Sequence, residues 1–275
     1  MNPSPNPTAK PLPRPTSSNN PPIPCRISTL AATVANSLIQ LATIDARVQG
    51  EPGKVFSTGP QVAMGVDGKT YFIKGANSAT AFAEVAGCRL ASMAGLMAPP
   101  AHIGQFGDEL YASVESVPGA QRTIEPWLNN RQRIRNRSHL YDVVAVDTWL
   151  VNDDRNMGNL VGGNPSTGNI DVFMIDFEKS RTLHPNPFMG SVEVAFNRMW
   201  PTADLGRLLR HGRPDRCPAE IVAKIRGFSY QQLDELLQEI ANDIPLVTWN
   251  TASAEVLHRR AQELDRLVSA VWQAS

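Results

Sequence analysis

The stretch from Asp147 to Ser180 contains three side chains with oxygen atoms, each of which follows a predicted helix or strand. Asp154 and Asn159 follow an apolar helical run, and Asp176 follows a short β-rich run after a turn rich in Gly and Asn. A carboxylate can accept the proton of an attacking hydroxyl, and carboxylate and amide oxygens are suitable ligands for Mg²⁺. Phosphoryl transfer needs such groups, because it depends on positioning and on neutralising phosphate charge. The stretch therefore indicates a candidate site for phosphoryl transfer.

A purely structural interpretation of the same loop is also open. Asn, Asp and Gly gather in turns because they suit turn conformations, and an Asp-to-Asn spacing of five residues often arises by chance. The chemical interpretation rests on the order of the elements: a helix, a loop with Asp154 and Asn159, a hairpin, and then Asp176. Kinase catalytic loops present their base and two metal ligands in this order and spacing.

A lysine and a glutamate in the N-terminal half suggest a phosphate-orienting pair. Lys74 ends a strand predicted from Lys69 to Lys74, and Glu84 lies in the first half of a helix predicted from Ala79 to Leu96. A lysine at the end of an apolar strand needs a partner charge or solvent. A strand lysine paired with a helix glutamate orients the α- and β-phosphates in kinases. The alternative is that the two are unconnected surface charges.

The segment Ser57–Gln61 is a second candidate for phosphate contact. It lies on or just before a strand predicted from Lys54 to Val66, where backbone N–H groups of Gly59 and Gln61 could cover phosphates. An ordinary turn into a strand would have the same composition.

The hydrophobic periodicity predicts the other elements. Leu30, Val34, Leu38 and Leu41 recur at steps of three and four and favour an amphipathic helix that begins at Ile27. Asp67-Gly68 predicts a hairpin turn, and Gly107-Asp108 predicts another between two strands in Ala101–Val117. Further helices are predicted at His139–Val151, Pro218–Arg226, Gln231–Asn242 and Ala252–Trp272.

Several motifs together resemble those of HipA-like kinases, which are distant relatives of phosphoinositide lipid kinases. The central one is Asn152-x-Asp154-Arg155-x-x-x-Asn159, followed by Ile175-Asp176-Phe177. The N-terminal motifs are Asp67-Gly68, Tyr71, Lys74, Glu84, Gly95-Leu96 and Pro99, and those near the C-terminus are Asp243-Ile244-Pro245, Trp249, Leu257 and Arg260. The resemblance extends from about Val55 to Val271.

This resemblance implies ATP as substrate and Mg²⁺ as cofactor. It implies that Asp154 is the catalytic base, that Asn159 and Asp176 bind Mg²⁺, and that Lys74 acts on the phosphates with Glu84 as its partner. It also implies that the Glu115 carbonyl and the Val117 amide bind the adenine edge and that Asn152 belongs to the ATP site.

The fold class expected from elements and resemblance together is α+β, as a two-lobed protein-kinase-like fold. Residues 1–25 form a Pro-rich arm expected to be disordered, because this composition cannot bury enough apolar surface. Residues 26–117 are assigned to a small β-rich N-lobe that binds the nucleotide. Residues 118–275 are assigned to a helical C-lobe with the catalytic loop and the metal site.

The phosphate acceptor expected from the resemblance is a Ser or Thr hydroxyl of a protein. A lipid or small-molecule acceptor on the same fold is the enzymatic alternative. Glu178 and Lys179 follow Phe177 where the family usually has a glycine, and this departure supports a third possibility, a pseudokinase or binding module. The resemblance also implies a possible antitoxin-like protein partner.

The composition does not favour nucleic-acid binding, membrane binding or a disulfide-stabilised fold. Lys plus Arg and Asp plus Glu both number 26 in the 275 residues, so bulk charge does not favour binding to nucleic acid or to an anionic membrane. The basic stretch Arg131–Arg137 is interpreted as a solvated linker face. The three cysteines are widely spaced, which predicts no disulfide framework and suits a reducing cytoplasm. No apolar run reaches the roughly 18 residues that span a bilayer.

Overall fold

The computed structural model describes residues 38–47, 61–76, 79–120, 124, 127, 133–152, 154–184, 187, 218–244 and 252–274. The strands are β1 Leu38–Arg47, β2 Gln61–Gly65, β3 Thr70–Lys74, β4 Ala101–Phe106, β5 Glu109–Glu115, β6 Leu160–Ser166 and β7 Asn169–Met174. The α-helices are α1 Ala79–Ala94, α2 His139–Leu150, α3 Ala219–Arg226, α4 Tyr230–Asn242 and α5 Ala252–Ala274. Short 3₁₀ turns occupy Met157–Asn159 and Arg181–Leu183.

The first five strands form a closed barrel in the order β1-β2-β3-β5-β4. All neighbours are antiparallel except β1 and β4, whose parallel pairing, with Leu38 opposite Ile103, closes the barrel. Closure leaves none of the five as an open edge strand. The barrel fixes β3 between two neighbours, and β3 carries Lys74 at its end.

The helix predicted from Ile27 through Leu41 is wrong for its last residues, because Leu38–Leu41 belong to β1. Leu41 is buried while Gln40 and Ala42 are exposed, which is the alternation of a strand with one face on a core. The spacing of the leucines suits a helix, but pairing with both β2 and β4 decides the conformation. Residues 27–37 lie outside the described part of the chain.

The other predicted elements within the described residues are confirmed to within a few residues. The strand predicted at Lys54–Val66 is β2 over Gln61–Gly65, while residues 54–60 and the Pro-rich arm lie outside the described residues. The helix predicted to Leu96 ends at Ala94. Gly95 has a φ of 103°, and its N–H and that of Leu96 donate to the Ala91 carbonyl, so glycine terminates α1 in the left-handed conformation.

Helix α2 lies in the middle of the helical part and leads directly into the candidate catalytic loop. It is apolar around most of its circumference and packs against α1, α3 and α5. Trp149 is fully buried, and its indole N–H donates to the Leu257 carbonyl of α5 at 2.8 Å, so this side chain packs α2 against α5. The helix ends at Leu150, and Val151 caps it in the left-handed conformation with a φ of 53°.

Arg260 of α5 anchors the end of α2. Its Nε donates to the Trp149 carbonyl at 2.9 Å, and its Nη2 donates to the Thr148 carbonyl. Burial lowers the pKa of Arg260 to about 10, yet the side chain stays cationic at neutral pH and faces the negative end of the helix.

We expect Arg260→Ala to lower the free energy of unfolding by about 3 kcal/mol, because two buried carbonyls lose a charged donor. Urea denaturation measures the change. Arg259→Ala is the matched control, since its neighbouring side chain is exposed and its loss should cost under about 0.5 kcal/mol. An equal loss in the two variants would contradict the anchoring role.

The described residues all fall within one compact unit, Asn36–Ser275. They define a mixed fold with a β-barrel, a β6–β7 hairpin and a helical part. The division into lobes at residues 117 and 118 stays a prediction. None of the helices in the described ranges has both the length and the hydropathy required to cross a membrane.

Candidate active site

Lys74, Glu84 and Asp176 converge at the end of β3, although 102 residues separate the lysine from the aspartate. Lys74 Nζ lies 2.7 Å from Asp176 Oδ1 and 3.8 Å from Glu84 Oε2. The structure therefore confirms the contact between Lys74 and Glu84 that the sequence predicted. It also places the predicted metal ligand Asp176 against the same ammonium group.

The charge on Lys74 is held by these two carboxylates. Burial would lower the pKa of Lys74, but the negative charges of Glu84 and Asp176 outweigh burial and raise the pKa above its usual value. The side chain of Lys74 is only 17% exposed, so its cation is both fixed and partly shielded from water. A fixed cation in such a place is well suited to bind phosphate oxygens.

Glu84 has a second task that the sequence did not reveal. Its two carboxylate oxygens accept hydrogen bonds from the backbone N–H groups of Asp176, at 3.2 Å, and Phe177, at 2.7 Å. Glu84 is 1% exposed, and these bonds provide the partners that a buried carboxylate requires. The glutamate therefore joins α1 to the segment that presents Asp176.

A glycine in α1 permits this close approach. A Cβ atom at Gly87 would lie 2.2 Å from the Cβ of Phe177, a separation that two carbon atoms cannot adopt. Phe177 is fully buried and immediately follows Asp176. The absence of a side chain at position 87 thus lets the helix pack directly on the Asp176 segment.

The candidate catalytic loop begins where α2 ends. Asp154 is an exposed residue of this loop. Its N–H donates to Asn152 Oδ1 at 3.3 Å, and its carbonyl accepts from Asn159 Nδ2 at 2.8 Å. The backbone of Asp154 is therefore fixed by hydrogen bonds with both of the asparagines in the motif.

Asn152 is fully buried, and its amide is used inside the protein. The Nδ2 group donates to Asp147 Oδ1 at 3.2 Å and to the Asp176 carbonyl at 3.3 Å. In this geometry Asn152 links the loop to the Asp176 segment. Its predicted place in the ATP site stays a prediction.

A buried ion pair fixes the candidate catalytic loop to the end of α2. Asp147 and Arg155 are both fully buried, and the guanidinium donates to both carboxylate oxygens of Asp147 at 2.9 and 3.1 Å. Burial would lower the pKa of Arg155, but the Asp147 carboxylate raises it. Arg155 also donates to the carbonyls of Asn159 and Ile175 and lies over the Phe177 ring, 4.9 Å from its centroid. One side chain thus holds the two segments that carry the predicted metal ligands.

The groups at Asn159 and Asp176 suit Mg²⁺. Asn159 uses Nδ2 to bind the Asp154 carbonyl, which leaves Oδ1 as its atom for a cation, and the Ile175 N–H donates to the Asn159 carbonyl at 3.2 Å. Within the described ranges, no cluster of three or more His, Cys, Asp or Glu side chains could hold a metal ion. Mg²⁺ here would take its other ligands from phosphates and water, which is its usual preference.

Glu178 lies half-buried beside this centre. Burial raises the pKa of its carboxyl, whereas the positive charge of Lys74 acts in the opposite direction. Lys179 Nζ lies 3.9 Å from the Glu178 carboxylate and is itself exposed. The position that the resemblance assigns to glycine thus carries an acidic side chain close to the candidate site.

The predicted adenine-binding segment continues β5. The Glu115 N–H donates to the Pro100 carbonyl and the Ser116 N–H to the Thr70 carbonyl, both at 2.9 Å. Because proline has no N–H, Pro100 cannot donate to the Glu115 carbonyl in return. The Glu115 carboxylate accepts from Lys69 Nζ at 2.6 Å, so this side chain joins the end of β5 to the turn before β3.

Val117, Gln61 and Gly59 complete the set of predicted nucleotide contacts. Val117 is buried and packs on the hairpin, where a Cβ atom at Gly163 would lie 2.2 Å from its Cγ1. Gln61 is the first residue of β2, and Gly59 lies outside the described residues. The nucleotide contacts of Glu115, Val117, Gln61 and Gly59 stay predictions.

One motif that contributes to the family resemblance has a structural role in the β2–β3 turn. Asp67 Oδ1 accepts from the Lys69 N–H at 3.0 Å, and Asp67 Oδ2 accepts from the Tyr71 hydroxyl at 2.7 Å. Gly68 has a φ of 78°, which the turn requires. These residues set the turn from which β3 carries Lys74 into the site.

Comparison with known proteins gives distant structural similarities, among them the three that follow. The sequence matches no protein-family model, and no curated protein is significantly similar to it. The chain is similar in structure to the Helicobacter pylori proinflammatory kinase CtkA, with 12% identity, 86% of this chain and 97% of that chain covered, and a TM-score of 0.47.

Two further similarities have lower TM-scores. HipA of Shewanella oneidensis, in a toxin–antitoxin complex with HipB and operator DNA, gives 12% identity, coverage of 69% and 57%, and a TM-score of 0.35. WaaP in complex with acyl carrier protein gives 17% identity, coverage of 80% and 89%, and a TM-score of 0.35.

Proposed function

We propose that this protein is a phosphotransferase that uses ATP and Mg²⁺ and transfers the γ-phosphate to a hydroxyl group. The observation that carries the proposal is the convergence of Lys74, Glu84 and Asp176, with contacts of 2.7 and 3.8 Å from the ammonium group. A cation and an acid on separate elements, beside a loop that exposes Asp154, form the arrangement that phosphoryl transfer requires.

Each residue has a stated task in this proposal. Lys74 binds phosphate oxygens of the nucleotide, and Glu84 keeps that lysine and the backbone of Asp176 in place. Asp154 accepts the proton of the attacking hydroxyl, for which its exposed position is suited. Asn159 and Asp176 hold Mg²⁺, which when bound neutralises charge on the phosphates.

The acceptor in this proposal is a Ser or Thr hydroxyl of a protein. Support for that choice, and for an antitoxin-like partner, comes from the HipA-like motifs. The lipid or small-molecule acceptor is the competing proposal with the same site. A pseudokinase requires that the convergent groups bind nucleotide or a partner without turnover, and Glu178 beside the site is the observation that favours it.

One labelling experiment separates these possibilities. The purified chain is incubated with γ-labelled ATP, Mg²⁺ and a cell lysate that contains proteins, lipids and metabolites, and Asp154→Asn serves as the control for contaminating kinases. We expect more label on protein Ser or Thr with the wild-type chain than with Asp154→Asn. If the excess label were confined to lipids or metabolites, the acceptor would be a lipid or a small molecule. If the wild-type chain bound Mg·ATP but gave no label beyond the control, it would be a pseudokinase.

A further inference from the structure

Helix α1 is held at two places that lie on different sides of it. Glu84 binds Lys74 and the backbone of the Asp176 segment, and Arg89 follows five residues later. Five residues advance a helix by about 7.5 Å and turn it by about 140° relative to the starting side chain. Arg89 therefore points away from the site while it belongs to the same rigid element as Glu84.

Arg89 joins three elements. Its Nη1 donates to Glu239 Oε1 of α4 at 2.8 Å, and its Nε donates to the carbonyl of Ala101, the first residue of β4, at 3.3 Å. The side chains of Arg89 and Glu239 are 20% and 32% exposed. A second acidic residue, Asp243, follows the end of α4. Burial raises the pKa of Asp243, and the positive charge of Arg89 opposes that rise.

An ion pair on a free surface contributes little to stability, because water screens it and ordering the side chains costs entropy. Arg89 differs from that case because it is largely buried and also binds a backbone carbonyl of the barrel. Its removal would leave Glu239 without this ion-pair partner, and Asp243, four residues further along at the end of α4, without a nearby positive charge.

We propose that the contact of Arg89 with Glu239 positions the candidate active site, by fixing α1 against α4 so that Glu84 keeps its bonds to the Asp176 segment. This rests on the proposed function in so far as the site binds Mg·ATP. Glu84 is the direct contact, and Arg89 and Glu239 are positioning residues that act through it. Helix α4, which contributes no residue to the site, thereby sets the geometry of Lys74 and Asp176.

The test measures backbone amide hydrogen exchange and Mg·ATP affinity in Arg89→Ala, Glu239→Ala and the double variant. We expect exchange at the Asp176 and Phe177 amides to become about tenfold faster in each single variant, because these amides donate to Glu84. The dissociation constant for Mg·ATP should rise about fivefold, and the double variant should be no worse than Arg89→Ala. Arg89→Lys should restore most of both values.

Arg226→Ala is the matched control, since Arg226 pairs with Asp265 and this ion pair joins α3 to α5 rather than α1 to α4. It should leave both values unchanged. Unchanged exchange at Asp176 and Phe177 in Arg89→Ala, or additive effects in the double variant, would overturn the proposal. A wild-type chain that binds no Mg·ATP would contradict the proposed function instead, and the exchange rates would still decide whether the contact positions the segment.

Discussion

We expect Lys74→Ala to lower kcat/KM for Mg·ATP by about 10²- to 10³-fold, because it removes the cation fixed at the end of β3. The fold should survive the change. Glu84 loses its ammonium partner but keeps the backbone N–H groups of Asp176 and Phe177, so its carboxylate is not left without donors. Initial rates of phosphoryl transfer over a range of Mg·ATP concentrations, together with the thermal midpoint, measure both expectations.

Lys224→Ala provides the control for loss of a lysine. This residue lies on α3, is exposed and belongs to no part of the candidate site. Its variant should transfer phosphate at the wild-type rate. If Lys74→Ala did the same, Lys74 would be a structural partner of Glu84 and Asp176 with no role in the reaction.

The second large effect is expected from Gly87→Ala. In an exposed helix this change stabilises by about 1 kcal/mol through helix propensity. Here the added Cβ would lie 2.2 Å from Phe177 Cβ and 2.7 Å from Phe177 Cγ, so either α1 or the Asp176 segment must move. We therefore expect the opposite sign, a loss of about 1–3 kcal/mol in the free energy of unfolding, and at least about tenfold weaker Mg·ATP binding.

Chemical denaturation and titration with Mg·ATP measure these two losses. Ser92→Ala, at an exposed position of the same helix, is the control that improves helix propensity without a contact. It should be neutral or slightly stabilising. Stabilisation by Gly87→Ala with unchanged affinity would show that the packing of α1 on Phe177 does not matter for the site.

The contact of Lys74 with Glu84 was predictable because local patterns carry it. A short strand that ends in a lysine and a helix that begins a few residues later are both visible in the sequence, and chain geometry keeps them close. The strand β1 was not predictable in this way. Its pairing with β4 joins residues about 65 positions apart, and no local pattern distinguishes Leu38 and Leu41 in a strand from the same residues in a helix.

The buried ion pair beneath the candidate site could not be predicted from the sequence either. Asp147 looked like one polar residue of an apolar helix, and Arg155 looked like a loop residue, yet they form a fully buried pair. Their burial follows from how the helix end, the loop and the hairpin pack together, which spacing alone does not contain. A charged residue within an otherwise apolar helix is the signal that could have identified Asp147, because such a residue needs a buried partner.

The assignment of a base and a metal ligand is tested most directly by calorimetric titration of Mg·ATP into the wild-type chain, Asp154→Asn and Asp176→Asn. Asp154 contacts the acceptor hydroxyl in this account, so Asp154→Asn should bind Mg·ATP nearly as the wild type does while transfer falls by about 10²-fold or more. Asp176→Asn should lose both affinity and transfer, because it removes a carboxylate ligand of Mg²⁺. Equal loss of Mg·ATP binding in the two variants, or none in either, would contradict the account.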